Sequence, residues 1–192
     1  MARVFMSHTM AFVTYKNGVI EQYKLSNETA DDALVLNMQA SYQFDIQLEG
    51  CVVDDTHQRL FVGEEERGIW AFDGIQTGLD VPILIDEVGS KNGIMADIEG
   101  LALFHIEQPL LLASSQANDS FAVYKAMPPY QFVTRFRINA NENVDGAQET
   151  DGIEVTHIAL PGFPVGMIVV QDGFNNDGMQ NFKYAPLNIL VE

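Results

Sequence analysis

At 192 residues, 47% of them hydrophobic, the chain is long enough for one ordinary core and too apolar to be disordered. Its 27 Asp and Glu against 10 Lys and Arg give a formal net charge of −17, which disfavours nucleic-acid binding, because phosphate backbones demand basic groups. No apolar run approaches the ~20 residues of a membrane-spanning helix, and Met1 to Val13 carries one Arg and no sustained apolar stretch, so no signal peptide is expected in it.

Residues 10–25 predict two strands joined at Lys16-Asn17-Gly18, since Asn-Gly is the strongest short hairpin signal. A polar connector from Ser26 to Asp32 leads to an alternating segment, Ala33 to Phe44. Three similar blocks follow. The first runs Glu49-Gly50-Cys51-Val52-Val53, then Leu60-Phe61-Val62, then Ile69-Trp70-Ala71-Phe72. The second runs Glu99-Gly100-Leu101-Ala102-Leu103, then Leu111-Leu112-Ala113, then Phe121-Ala122-Val123-Tyr124. The third runs Asp151-Gly152-Ile153-Glu154-Val155, then Met167-Ile168-Val169-Val170, then Asn181-Phe182-Lys183-Tyr184. Each opens on an acid-Gly pair, and the acids are 50 residues apart (49 to 99) and then 52 (99 to 151).

A repeat of about 40–50 residues made of short strands is the signature of a β-propeller blade. The first hairpin matches the second half of the unit. The expected fold is therefore all-β, a propeller of four-stranded blades in which residues 1–192 form one partial domain of about three and a half blades. Open sheet edges would favour self-association. Trp70, Phe72, Phe121, Tyr124, Phe182 and Tyr184 are expected between blades, and Cys51, the single cysteine, as a buried small hydrophobe.

Superposing the blocks puts Lys16, Glu65, Gln116 and Asp172 together, just after the second apolar strand, and Glu49, Glu99 and Asp151 together at the start of the first. First strands line a propeller's channel, so acids of successive blades would meet at one mouth. Asp97-Ile98-Glu99-Gly100, read as extended, sets Asp97 beside Glu99 on one face. An oxygen-only cluster suits calcium, which takes about 6–8 oxygen ligands. The histidines, His8, His57, His105 and His157, lack zinc spacing and read as solvated turn residues. Glu64-Glu65-Glu66 reads as a solvated loop with Glu65 alone in register.

The chain resembles the β-propeller phytases, alkaline calcium-dependent phosphatases acting on phytate (inositol hexakisphosphate). The resemblance rests on Phe12-Val-Thr-Tyr-Lys-Asn-Gly, Leu48-Glu-Gly, Val62-Gly-Glu-Glu-Glu-Arg-Gly-Ile-Trp, Asp97-Ile-Glu-Gly-Leu and Leu111-Leu-Ala-Ser-Ser-Gln-Ala-Asn. It continues through Thr150-Asp-Gly-Ile-Glu-Val, Phe163-Pro-Val-Gly, Val170-Gln-Asp-Gly and Gln180-Asn-Phe-Lys-Tyr-Ala-Pro. It implies a six-bladed ring whose mouth holds several calcium ions and two phosphate sites. By resemblance Glu49, Asp97, Glu99, Gln116 and Asp151 are calcium ligands of the active site. Glu65, Asp145 and Asp172 are neighbouring ligands, and Lys16 binds substrate phosphate. It also implies an extracellular or periplasmic protein, and that the N-terminal blades, with their basic phosphate-binding residues, are missing here. The expected reaction is attack on phytate by metal-activated water, with Glu49, Asp97, Glu99 and Asp151 at the reacting centre. Two other readings stay open: a non-catalytic, calcium-stabilised propeller remnant or interaction module, and another calcium-dependent propeller hydrolase such as a lactonase.

Overall fold

The computed structural model describes residues 9–26, 34–175 and 178–190. His8, Ala33 and the expected connector beyond Ser26 lie outside them. The described chain is all-β apart from two 3-10 turns, Gln116–Asn118 and Asn188–Leu190, and no helix in it is long and apolar enough to cross a membrane.

Four antiparallel sheets follow in chain order. The first holds β1 (Thr9–Thr14), β2 (Val19–Ser26) and β3 (Val35–Gln43). The second holds β4 (Leu48–Asp54), β5 (Arg59–Glu64), β6 (Gly68–Asp73) and β7 (Ile83–Glu87). The third holds β8 (Leu101–Phe104), β9 (Leu110–Ser115), β10 (Ser120–Lys125) and β11 (Phe132–Phe136), and the fourth β12 (Ile153–Thr156), β13 (Met167–Asp172) and β14 (Asn181–Pro186). Every sheet is a simple meander, with each strand hydrogen-bonded to its sequence neighbour. This is propeller-like packing of separate sheets, with no closed sheet among the described residues.

The long apolar runs are explained by burial on both faces. In β5, Leu60 and Val62 pack toward the first sheet with Ile20, Phe44 and Phe72, while Phe61 packs toward the third with Leu111 and Ala113. In β9, Leu110 and Leu112 turn the other way and meet Val155, Ile168 and Val170 of the fourth sheet. Strand alternation thus sends successive residues of one strand into two different cores. The end sheets have one such core each. On their outer faces Leu36 and Met38 are 57% and 59% exposed, and Phe182 and Tyr184 are 63% and 60% exposed. The expectation that Phe182 and Tyr184 pack between sheets is thereby corrected. Phe72, Phe121 and Tyr124 are buried and Trp70 is half-buried.

The first strands lie side by side, β4 against β8 and β8 against β12. Glycine permits this. The Gly50 amide donates to the Glu99 carbonyl at 2.8 Å, and a Cβ on Gly50 would fall 2.2 Å from that oxygen. A Cβ on Gly100 would fall 2.5 Å from the Asp151 carbonyl oxygen and 2.7 Å from the Ile153 amide nitrogen. Gly152 faces open space. Gly100→Ala is therefore expected to cost about 3 kcal/mol, the upper part of the range for overpacking, and Gly152→Ala less than about 0.5 kcal/mol. Urea denaturation of the two variants checks this, and equal midpoints would refute the close approach.

Candidate metal centre

The cluster grows out of those strand beginnings. Glu49 lies in β4 at a register irregularity between Leu48 and Cys51, where the ladder with β5 is interrupted. Asp97 and Glu99 are not in a strand, as the sequence had suggested; they form the irregular segment leading into β8, with Ile98 fully buried between them. Glu65 opens the tight turn after β5, and Gln116 opens the 3-10 turn after β9. Backbone bonds fasten these pieces together. The Glu65 amide donates to the Gln47 carbonyl at 3.0 Å, and the Gln116 amide to that of Asp97 at 3.0 Å. Across sheets, the Ile98 amide donates to the Glu65 carbonyl at 2.9 Å. Glu65 is thus held by main chain from two sheets, and Gln116 and Asp97 are held to each other within the third.

The result is a group of three carboxylates. One oxygen from each of Glu49, Glu65 and Glu99 lies within 4.8 Å of the others, and all three residues are half-buried. Like charges so close cannot all ionise freely. The Glu99 carboxyl is pushed up to about 7, first by burial and then by the charges of Glu49, Asp151, Glu65 and Asp97. Glu65 is also raised, by burial and by Asp97, Glu49 and Glu66, with Lys16 opposing. Asp97, Asp151 and Lys16 are therefore electrically part of the neighbourhood. Gln116 completes it, its Nε2 donating to Asp151 Oδ1.

Gln47 was not anticipated. Its Nε2 donates to Glu49 Oε1 and, at 3.2 Å, to Glu65 Oε1, so one amide spans two members of the cluster. The repeat contained the signal: Gln47 precedes Glu49 by two positions, as Asp97 precedes Glu99. The donors are carboxylate and amide oxygens without His or Cys, a set that fits a hard cation such as calcium. The histidines stand apart: His57, His105 and His157 are exposed in turns after β4, β8 and β12, and His57 Nδ1 meets Asp54 Oδ2 at 2.7 Å. Cys51 is half-buried against the core between the first two sheets, and burial raises its thiol pKa.

Two expected ligands are placed elsewhere. Val62, Ala113 and Val170 pair with Cys51, Leu101 and Ile153, each two positions past its acid. Counting from them, Glu65 corresponds to Gln116 and to Gly173, whereas Asp172 corresponds to Glu64 and Ser115. The sequence alignment of Asp172 was one residue out. Asp172 is fully buried, 3.0 Å from Lys183 Nζ, and the same ammonium pairs with Asp145. The hydrogen bond from Lys183 holds the Asp145 carboxyl below its ordinary range. Asp145 and Asp172 are thus grouped around a buried lysine rather than with the three glutamates. Beside Gln116 a cavity of about 590 Å³ is lined by Ala117, Asp119, Gln148, Glu149 and Phe174.

A family model described as Phytase matches residues 5–189. The 3-phytase of Bacillus subtilis (strain 168) is 34% identical over 180 residues, which is 90% of this chain and 47% of that protein. The chain spans about half the length of that curated relative. Among solved structures, that of U3-55K superposes with a TM-score of 0.48 at 13% identity, over 89% of this chain and 47% of that one.

The raised carboxyl of Glu99 has a consequence for stability. Between its ordinary 4.5 and about 7 the unfolded chain has released this proton while the folded chain keeps it. Stability from this group therefore falls as pH rises through that window and is level above it. In chelator, thermal melts from about pH 5 to about pH 8 should show wild type losing stability relative to Glu99→Gln. A difference that does not move with pH would contradict the electrostatics.

Proposed function

The chain belongs to the phytase family, and on that premise we propose that it acts on phytate, releasing phosphate by calcium-dependent attack of water. The observation that carries this reading is the convergence of Glu49, Glu65 and Glu99, donors within 4.8 Å of one another. With Asp97, Asp151 and the amide oxygens of Gln47 and Gln116 nearby, the set offers the oxygen-rich shell that calcium takes. Bound calcium supplies positive potential, polarises a phosphoryl oxygen and acidifies a water.

The chain's own residues have separate tasks on this reading. Glu49, Glu65 and Glu99 would hold the cations. Asp97 and Asp151, whose charges act on Glu99, extend the cluster toward the third and fourth sheets. Lys16, in the turn after β1, is exposed and meets a phosphate as a compact point charge. The cavity beside Gln116 carries Asp119 and Glu149, so a polyanion enters it only with cations present. Asp145 and Asp172 are left out of the ligand set, because both are engaged by Lys183.

The reading extends to architecture. On this reading the four sheets are consecutive blades of a six-bladed ring, the second and third with four strands and the first and fourth with three among the described residues. The exposed faces around Leu36 and Met38 and around Phe182 and Tyr184 are where further blades or a second copy would pack. An extracellular or periplasmic location goes with this reading.

The test is inorganic phosphate release from phytate at mildly alkaline pH, in roughly millimolar calcium against excess chelator. Calcium-dependent release is expected, and Glu99→Gln should lower it at least about 100-fold, the scale of removing one electrostatic group from a reacting centre. No release in either condition overturns the enzymatic reading. A calcium-induced rise in melting temperature in that same sample would then identify a non-catalytic, calcium-stabilised module, the alternative that the single lysine acting on the cluster favours.

A further inference from the structure

We infer that Glu64, Ser115 and Asp172 are positioning residues, each gripping the loop that leads into the first strand of its own sheet and so fixing where the cluster's oxygens stand. The inference rests on the reading of Glu49, Glu65 and Glu99 as cation ligands. The three residues end the second strands β5, β9 and β13 and occupy one register position. They are 2%, 1% and 0% exposed.

Their contacts repeat although their chemistry differs. Glu64 Oε1 accepts from the amides of Asp45 and Ile46, both at 3.1 Å, four and three positions before Glu49. Ser115 Oγ accepts from the Met95 amide at 2.7 Å and donates to the Met95 carbonyl at 3.0 Å, four positions before Glu99. Asp172 Oδ1 accepts from the Gln148 amide at 2.9 Å, three positions before Asp151. In each sheet a buried side-chain oxygen replaces the main-chain partner that an irregular loop lacks.

The third strand confirms that this is one device with three solutions. Opposite Val62 stands Trp70, whose Nε1 donates to Glu64 Oε2 at 2.8 Å. Opposite Val170 stands Lys183, whose Nζ is 3.0 Å from Asp172 Oδ2. Opposite Ala113 stands Ala122, which has no donor, and there the gripping residue is the neutral Ser115. A buried carboxylate needs a partner for its second oxygen, a hydrogen bond at Glu64 and an ion pair without one at Asp172, and a hydroxyl does not. A polar or cationic side chain stands opposite in the two sheets where the gripping residue is charged, and an alanine where it is neutral.

The grip bears on the cluster through short links. Asp45 and Ile46 lead into Gln47, whose carbonyl receives the Glu65 amide and whose side chain touches Glu49 and Glu65. Met95 leads to Asp97, whose carbonyl receives the Gln116 amide. Releasing Glu64 should therefore blur the Glu49–Glu65 spacing without removing a ligand.

Calcium titration of the full chain by calorimetry tests this, followed in parallel by emission of Trp70, the chain's single tryptophan. Wild type should bind calcium with a change in Trp70 emission. Glu64→Gln, which places an amide donor against donors, should still melt cooperatively but bind calcium about tenfold more weakly, the lower range for groups that orient metal ligands. Phosphate release by this variant should recover at saturating calcium, which a ligand or reacting group would not allow. Ser115→Ala, a milder change, should weaken binding about fivefold, the value of one lost hydrogen bond. If wild type takes up no calcium, the ligand reading fails and the inference with it. If wild type binds and either variant, folded, binds as tightly, the inference alone is overturned.

Discussion

The close approach of neighbouring first strands is the constraint on which the rest of the structure depends. Gly50 donates its amide to the Glu99 carbonyl, and neither Gly50 nor Gly100 has room for a Cβ. The strands can meet only where that atom is missing. The residue before each glycine is then brought beside its counterpart in the next sheet, whatever its charge. Because those residues are Glu49, Glu99 and Asp151, close packing of the backbone at Gly50 and Gly100 gathers acids, and in two of the three acid-Gly pairs the glycine has this one geometric reason.

That gathering opposes folding. Three carboxylates within 4.8 Å, two of them with raised pKa values, are stable together only with a proton or a cation among them. The apolar cores on both faces of β5 and β9 hold the strands in place against this repulsion. Main-chain bonds from Glu65 to Gln47 and from Ile98 to Glu65 keep the loops from relaxing apart. The charge is stored in backbone that cannot easily move, which is the preorganisation a cation site needs.

Much of this was legible in the sequence because the repeat is carried by residues that cannot vary freely. The acid-Gly pairs, the Asn17-Gly18 hairpin and the apolar second strands each answer to one physical demand, and each was found where expected. The fourth strands were not located. Ile83–Glu87 and Phe132–Phe136 are short and half-exposed, so neither a long apolar run nor a fixed turn marks them. Asp172 was misaligned by one position because an acid before Gly173 looks like the acid of Glu65, and only strand pairing shows that it turns to the opposite face. Phe182 and Tyr184 carry the aromatic pattern of buried third strands, but the sheet they belong to has no described neighbour on that side.

The run Glu64-Glu65-Glu66 shows how environment divides labour among identical side chains. Glu64 is buried and takes three donors, Glu65 is half-buried in the cluster, and Glu66 is exposed. The sequence suggested a solvated loop with Glu65 alone in register, and in the structure Glu64 is buried and hydrogen-bonded, Glu65 a candidate ligand and Glu66 a surface charge. The same division separates the two halves of the proposed function. The three clustered glutamates come from the second and third sheets, both four-stranded and both with cores on each side. Lys16 comes from the first sheet, which is three-stranded and has an exposed outer face. Cation binding therefore depends on complete parts of this chain, whereas capture of a polyanion depends on basic groups of which the cluster's surroundings supply one. The two properties are physically separable, and the packing of these sheets bears on the proposed cation site more directly than on capture of a polyanion.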